Sequence, residues 1–151
     1  MSETNNQSSS GLENTGHELL QRPEMLDGST YKIKTPNSDH ALYVTINDII
    51  FSNQRRPFEI FINSKNMENF DWVVALTRII SAVFRHGGGD VTFLVEELKT
   101  ISDGQGGYFK TGGKRMPSLV AEIGECLEKH LIKIGVITHS QKIIDQERRS
   151  V

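Results

Sequence analysis

HALYVTINDIIF, residues 40–51, alternates along its length, with Leu42, Val44 and Ile46 on one side and Tyr43, Thr45 and Asn47 on the other. Successive side chains of a strand point to opposite faces, so this period of two reads as a half-buried β-strand. On its N-terminal side YKIKTP (31–36) alternates as well. The connecting PNSDH (36–40) is turn chemistry, because Pro36 sets φ while Asn37, Ser38 and Asp39 can bond their own backbone. On its C-terminal side a second loop, SNQRRP (52–57), leads into PFEIFINSK (57–65), where Phe58, Ile60 and Ile62 oppose Glu59, Phe61 and Asn63. Three antiparallel strands in a meander are expected.

After Asn66 the period changes. DWVVALTRIISAVFRHGGGD (71–90) sets Trp72, Val73, Leu76, Ile79, Ile80 and Val83 at helical spacing, with Phe84 four residues beyond Ile80. Gly87, Gly88 and Gly89 end that helix. Asp90 then suits the cap of a shorter helix, VTFLVEELKTI (91–101), with Glu96 and Glu97 toward water. The β-branched and aromatic residues of 91–95 equally suit a strand. SDGQGGYFKTGGKRMPS (102–118) reads as a glycine-rich turn or short irregular hairpin. Pro117 suits the first turn of a last helix, LVAEIGECLEKHLIKIG (119–135), which Gly135 stops. The expected fold is α+β, a small antiparallel sheet of three or more strands packed against two to three helices.

With 151 residues the chain has room for one domain. Residues 1–29 are rich in Ser, Asn, Glu and Gly and bury too little to offset their ordering entropy, so they are expected to be disordered, with 17–26 a stretch that could dock. The folded unit is expected over 30–137, followed by a polar tail, 138–151, as a frayed helix or free end. A net charge of −2 offers no global attraction to nucleic acid or an anionic membrane. The single cysteine, Cys126, excludes an internal disulfide framework and a Cys-rich zinc site. With no long apolar run and no signal-peptide pattern, a cytoplasmic protein without a membrane partner is expected.

The strongest local candidate for chemistry is the glycine-rich basic loop 104–117. Lys110, Lys114 and Arg115 stand among Gly112 and Gly113 just before a helix N-terminus, where free N–H groups and the helix dipole favour a phosphate or other anion. The competing reading is a tight turn with solvated cations, and the spacing matches neither a Walker loop nor a dinucleotide fingerprint. Arg55 and Arg56, on the loop before the third strand, would extend this basic surface together with Lys65 if the fold brings them near Lys114. Cys126 reads as inert packing on the last helix. The five histidines show no metal-ligand spacing, and His86 and His130 read as cations near helix ends. Glu96 and Glu97 point apart, which is poor geometry for paired-carboxylate catalysis. No catalytic residue and no metal ligand is assigned.

The segments PFEIFIN, ALTRIISAVFR, FLVEELK and GGYF followed by PSLVAEIG occur here in order. Across roughly residues 31–137 the chain resembles the C-terminal TSCPD-type domain of adenosylcobalamin-dependent (class II) ribonucleotide reductases. This resemblance implies a link to deoxyribonucleotide synthesis and a domain that in the family follows the catalytic barrel. Two departures matter: no TSCPD string occurs, and there is no cysteine-bearing tail. Nor is there room for a reductase barrel or a cobalamin site, so no cofactor is expected on this chain and adenosylcobalamin is implied only on a partner reductase. The resemblance implies a stand-alone or split accessory component, non-catalytic alone, whose partner is the reductase catalytic chain. The alternative is a stand-alone nucleotide, phosphate or nucleic-acid binding module using loop 104–117. For protein contacts, or for a homodimer, the edge strands and the face beside Phe58 are the expected surfaces.

Overall fold

The structure, a computed structural model, describes residues 19–65, 68, 70–86 and 90–150. β1 (Asp27–Ile33), β2 (Leu42–Phe51) and β3 (Gln54–Ser64) form an antiparallel meander in the order β1-β2-β3. The 40–51 alternation holds: Val44 and Ile46 are fully buried, as are Phe58 and Ile60 on β3, where Ile60 lies opposite Ile46 and the buried Ile62 opposite Val44. β1 begins at Asp27, inside the stretch expected to be disordered, and Arg22 just before it pairs bidentately with Glu59 at 2.9 and 3.0 Å. Residues 1–18 lie outside the described residues.

The β2–β3 connection is shorter than the sequence reading supposed. Ser52 and Asn53 take positive φ values of 51° and 60°, a two-residue hairpin turn whose twist suits the flanking strands. Gln54, Arg55 and Arg56 therefore belong to β3 rather than to a loop. A register shift at Asn47/Asp48 bulges β3 at Phe58, and the bulge accommodates Pro57, which has no N–H to give the ladder.

Helix α1 (Phe70–Arg85) lies along the free edge of β3. Ser81 Oγ accepts a hydrogen bond from the Ile60 amide at 3.0 Å and donates to the Ile60 carbonyl at 3.3 Å, so a helix side chain satisfies the edge strand. This edge and the face beside Phe58, expected as docking surfaces, are therefore covered; among the described residues no strand pairs with the outer edge of β1. α1 buries Thr77, Ile80, Ser81 and Phe84, whereas Trp72 and Ile79, expected in the core, are 73% and 63% exposed. Their apolar arc is wider than the surface available to receive it. The glycine stop at 87–89 lies outside the described residues.

α2 (Phe93–Lys99) packs on α3 (Leu119–Lys133). Thr92, not Asp90, holds the N-cap position of α2; Asp90 lies two residues before it, and its Oδ1 accepts from the Thr92 amide at 2.8 Å. The helices touch at Gly124, where an added Cβ would come within 2.8 Å of Leu98 Cβ and 3.0 Å of the Lys99 amide nitrogen. Ser118, not Pro117, opens α3: its Oγ accepts from the Ala121 amide and donates to the Ile101 carbonyl. Gly135, with φ of 85°, closes α3 in a Schellman arrangement, the Val136 amide reaching the Leu131 carbonyl and the Gly135 amide that of Ile132. Between α2 and α3, β4 (Tyr108–Phe109) and β5 (Arg115–Met116) make the short hairpin. The polar stretch 138–151 contains a fourth helix, α4 (His139–Arg149), with no buried residue; Lys142 and Arg149 tie it to Glu128 and Glu96 at 3.3 and 2.7 Å.

Candidate functional site

Hairpin β4–β5 folds back over the first turns of α3, and that placement decides the fate of the basic loop. Gly112 and Gly113 take φ values of 98° and 87° with open space around them, which makes the turn possible. The turn delivers Lys110 Nζ between Glu122 at 3.3 Å and Glu125 at 3.6 Å. Lys114 Nζ reaches the same Glu125 oxygen at 3.1 Å, and Lys129, one helical turn onward, reaches it at 3.3 Å. Tyr108 donates a short hydrogen bond to Glu122. Arg115 is engaged elsewhere, donating twice to the Gly106 carbonyl at 2.7 and 3.0 Å. The structure thus gathers Lys110, Lys114, Gly112 and Gly113 around two buried carboxylates, and an incoming anion would have to compete with these for the ammonium groups.

Burial alone pushes Glu125 toward the protonated form. The hydrogen bond from Lys114 and the nearby Lys110 and Lys129 charges outweigh that effect and hold it below the usual carboxylate range. Glu128 behaves alike: burial raises it, and Lys99 at 2.5 Å with Lys142 brings it down. Tyr108 is pushed up, first by burial and then by Glu122. Burial likewise pushes Cys126 up to about 12, so the thiol is held protonated, in keeping with a packing role.

The second basic group does not join the first. Arg55 donates to Asp48 at 3.1 Å, and Arg56 donates to the Phe84 carbonyl at 3.2 Å. Lys65 follows the other end of β3, so strand geometry sets it roughly 30 Å from Arg55.

Beneath Arg55 lies a buried polar chain that the sequence reading missed. His130, taken there as a cation near a helix end, is completely buried; its Nε2 donates to Asp48 Oδ1 at 2.7 Å and its Nδ1 lies 2.8 Å from the Tyr31 hydroxyl. Asp48 lies on the inward face of β2 because it continues the 44, 46, 48 alternation; a carboxylate at a core position of a strand was the available signal. Glu122, Glu125 and Glu128, every third residue of α3, were the other signal, since that spacing keeps them on adjoining faces of one helix. An open groove of about 600 Å³ between α2 and α4 is lined by Phe93, Glu96, Lys99, Glu128 and Lys142, among others, and its charges pair across it. No group of three or more potential metal ligands occurs among the described residues, and none of their helices is long and apolar enough to cross a membrane.

An antiparallel meander edged by a helix, with a glycine-rich hairpin clamped onto a second helix, is the scaffold on which these clusters sit. The TSCPD domain model matches residues 13–131, most of the chain, and the protein belongs to the TSCPD domain family. That domain is associated with class II ribonucleotide reductases. Comparisons with curated proteins and with solved structures find no match.

Proposed function

We propose that this chain is an accessory component of a class II ribonucleotide reductase, binding the catalytic chain and serving its stability, regulation or substrate delivery. Radical chemistry and adenosylcobalamin belong, on this reading, to the catalytic chain. The family match over residues 13–131 carries the proposal. The site supports it in a second way: the conspicuous basic and acidic groups of α3 and the hairpin are spent on one another, as in a structural clamp. To test it, the tagged protein is recovered from its native cells at low and moderate salt, and bound proteins and nucleotides are identified by mass spectrometry. Recovery of an adenosylcobalamin-dependent reductase chain is expected; its absence at both salts contradicts the reading.

One observation favours a second reading, a phosphate or nucleotide site at loop 104–117. Lys114 and Lys129 are both more than 60% exposed, and with Lys110 they outnumber Glu122 and Glu125 by three charges to two. Such binding would weaken with salt and be lost in the double variant Lys114→Ala, Arg115→Ala. Unchanged affinity for phosphorylated ligands in that variant removes this reading.

A further inference from the structure

The outer face of α1 carries a short apolar ridge: Trp72 and Ile79, two turns apart, with exposed Ala75 between them. Leu76 and Val83 flank it, half-buried and already packed on the core. At about 100° per residue, Asp71 and Arg78 lie together on the other flank, about a quarter turn from the ridge. Both are exposed, and neither takes part in an ion pair among the described residues. Each flank position thus repeats its ridge position two turns apart, one acidic and one basic.

We infer that α1 pairs antiparallel with α1 of a second copy of this chain. A twofold axis passing between Ala75 and Leu76 sets Trp72 of each copy against Ile79 of the other, because the two residues lie equally far from that point. Ala75 at the centre lets the helix backbones approach. The same operation carries each flank onto the same flank of the partner with direction reversed, so Asp71 comes within about 3 Å, measured along the axis, of Arg78 of the second copy. Parallel pairing would instead set this charged flank against the opposite flank of the second copy, where the half-buried Leu76 and Val83 offer it no charge. Helix-edge pairing of this kind is isologous and closes at two copies. Two tryptophans and two isoleucines supply less area than a standard stable interface, so association is expected to be weak, with dissociation in the tens to hundreds of micromolar.

This inference is independent of the reductase reading, since it concerns the purified chain alone. Trp72 is the only tryptophan of the chain and reports directly on the contact. Sedimentation equilibrium and tryptophan emission are followed from about 1 to 300 μM at low salt, a range chosen to bracket micromolar association. A monomer–dimer transition with a blue shift of emission over the same range is expected. Ile79→Glu should weaken association at least a hundredfold. Asp71→Arg should weaken it several-fold, and the double variant Asp71→Arg, Arg78→Asp should restore it. Ala75→Cys should form a disulfide-linked dimer under mild oxidation, while Lys142→Cys, on α4, should not; native Cys126 is buried. A chain that stays monomeric throughout, or a dimer indifferent to Ile79→Glu and to the charge exchange, overturns the proposal.

Discussion

Helices α1 and α3 are nearly equal in length, 16 and 15 residues, yet they reverse the usual relation between polarity and burial. α3 carries three glutamates and a histidine and buries all four; α1 is the more apolar and leaves its tryptophan in solvent. Burial follows the partners that the fold supplies. Lys110, Lys114, Lys99 and Lys142 arrive from the hairpin, α2 and α4 to meet the carboxylates of α3, and Asp48 and Tyr31 arrive from the sheet to meet His130. Nothing among the described residues arrives at the outer face of α1. A polar helix is thereby turned into an internal strut and an apolar one into an exposed surface.

Removing core contacts should show the contrast within α1 itself. Phe84→Ala, on its buried face, is expected to cost about 3–5 kcal/mol in urea denaturation. Trp72→Ala, on the same helix, should stay within about 0.5 kcal/mol. Equal losses would mean that the outer face is covered in the isolated chain.

Breaking the polar belt of α3 comes next. Asp48→Ala leaves both His130 and Arg55 without their carboxylate and is expected to cost about 3 kcal/mol, because a buried polar partner is orphaned. Close approach at Gly124 gives a further test: Gly124→Ala drives a methyl against Leu98 and the Lys99 backbone and should cost about 1–3 kcal/mol. An unchanged denaturation midpoint in either variant would mean that α3 is not seated as described.

The smallest effect is in pH. Glu125 and Glu128 lie below their ordinary values in the folded protein, so the unfolded chain binds protons first as pH falls. Their contribution is complete above the ordinary carboxylate value of about 4.3 and is lost as pH drops through the lowered folded values. Denaturation midpoints should hold from pH 7 to 5 and fall below about 4 on that account, with Lys114→Ala shrinking the acid-dependent part. A midpoint that rose on acidification would contradict the assigned pairing.

Much of this architecture was readable before the fold was known. Alternation at 40–51 and 57–65 located β2 and β3, the period change after Asn66 located α1, and Gly135 marked the end of α3. Those signals are local, and local physics suffices for them. What escaped was the choice of partners. Periodicity showed that Trp72, Ile79 and Ile80 belong to one apolar arc, but only the position of β3 decides that Ile80 meets the core and Trp72 does not. The candidate loop shows the same limit. Lys110, Lys114 and the glycines were visible as a basic turn, while Glu122 and Glu125, three residues apart in the sequence, gain meaning only where the hairpin folds onto α3. His130 and Asp48 are 82 residues apart, and no sequence pattern links them.

The reductase reading is tested most directly by titrating this protein into a purified class II ribonucleotide reductase catalytic chain supplied with adenosylcobalamin and ribonucleotide. Heat of binding and the rate of deoxyribonucleotide formation would be followed together. Saturable binding, with the rate or the lifetime of activity changing to a plateau at a fixed stoichiometry, is the expected result; no binding and an unchanged reaction course at every ratio would contradict it.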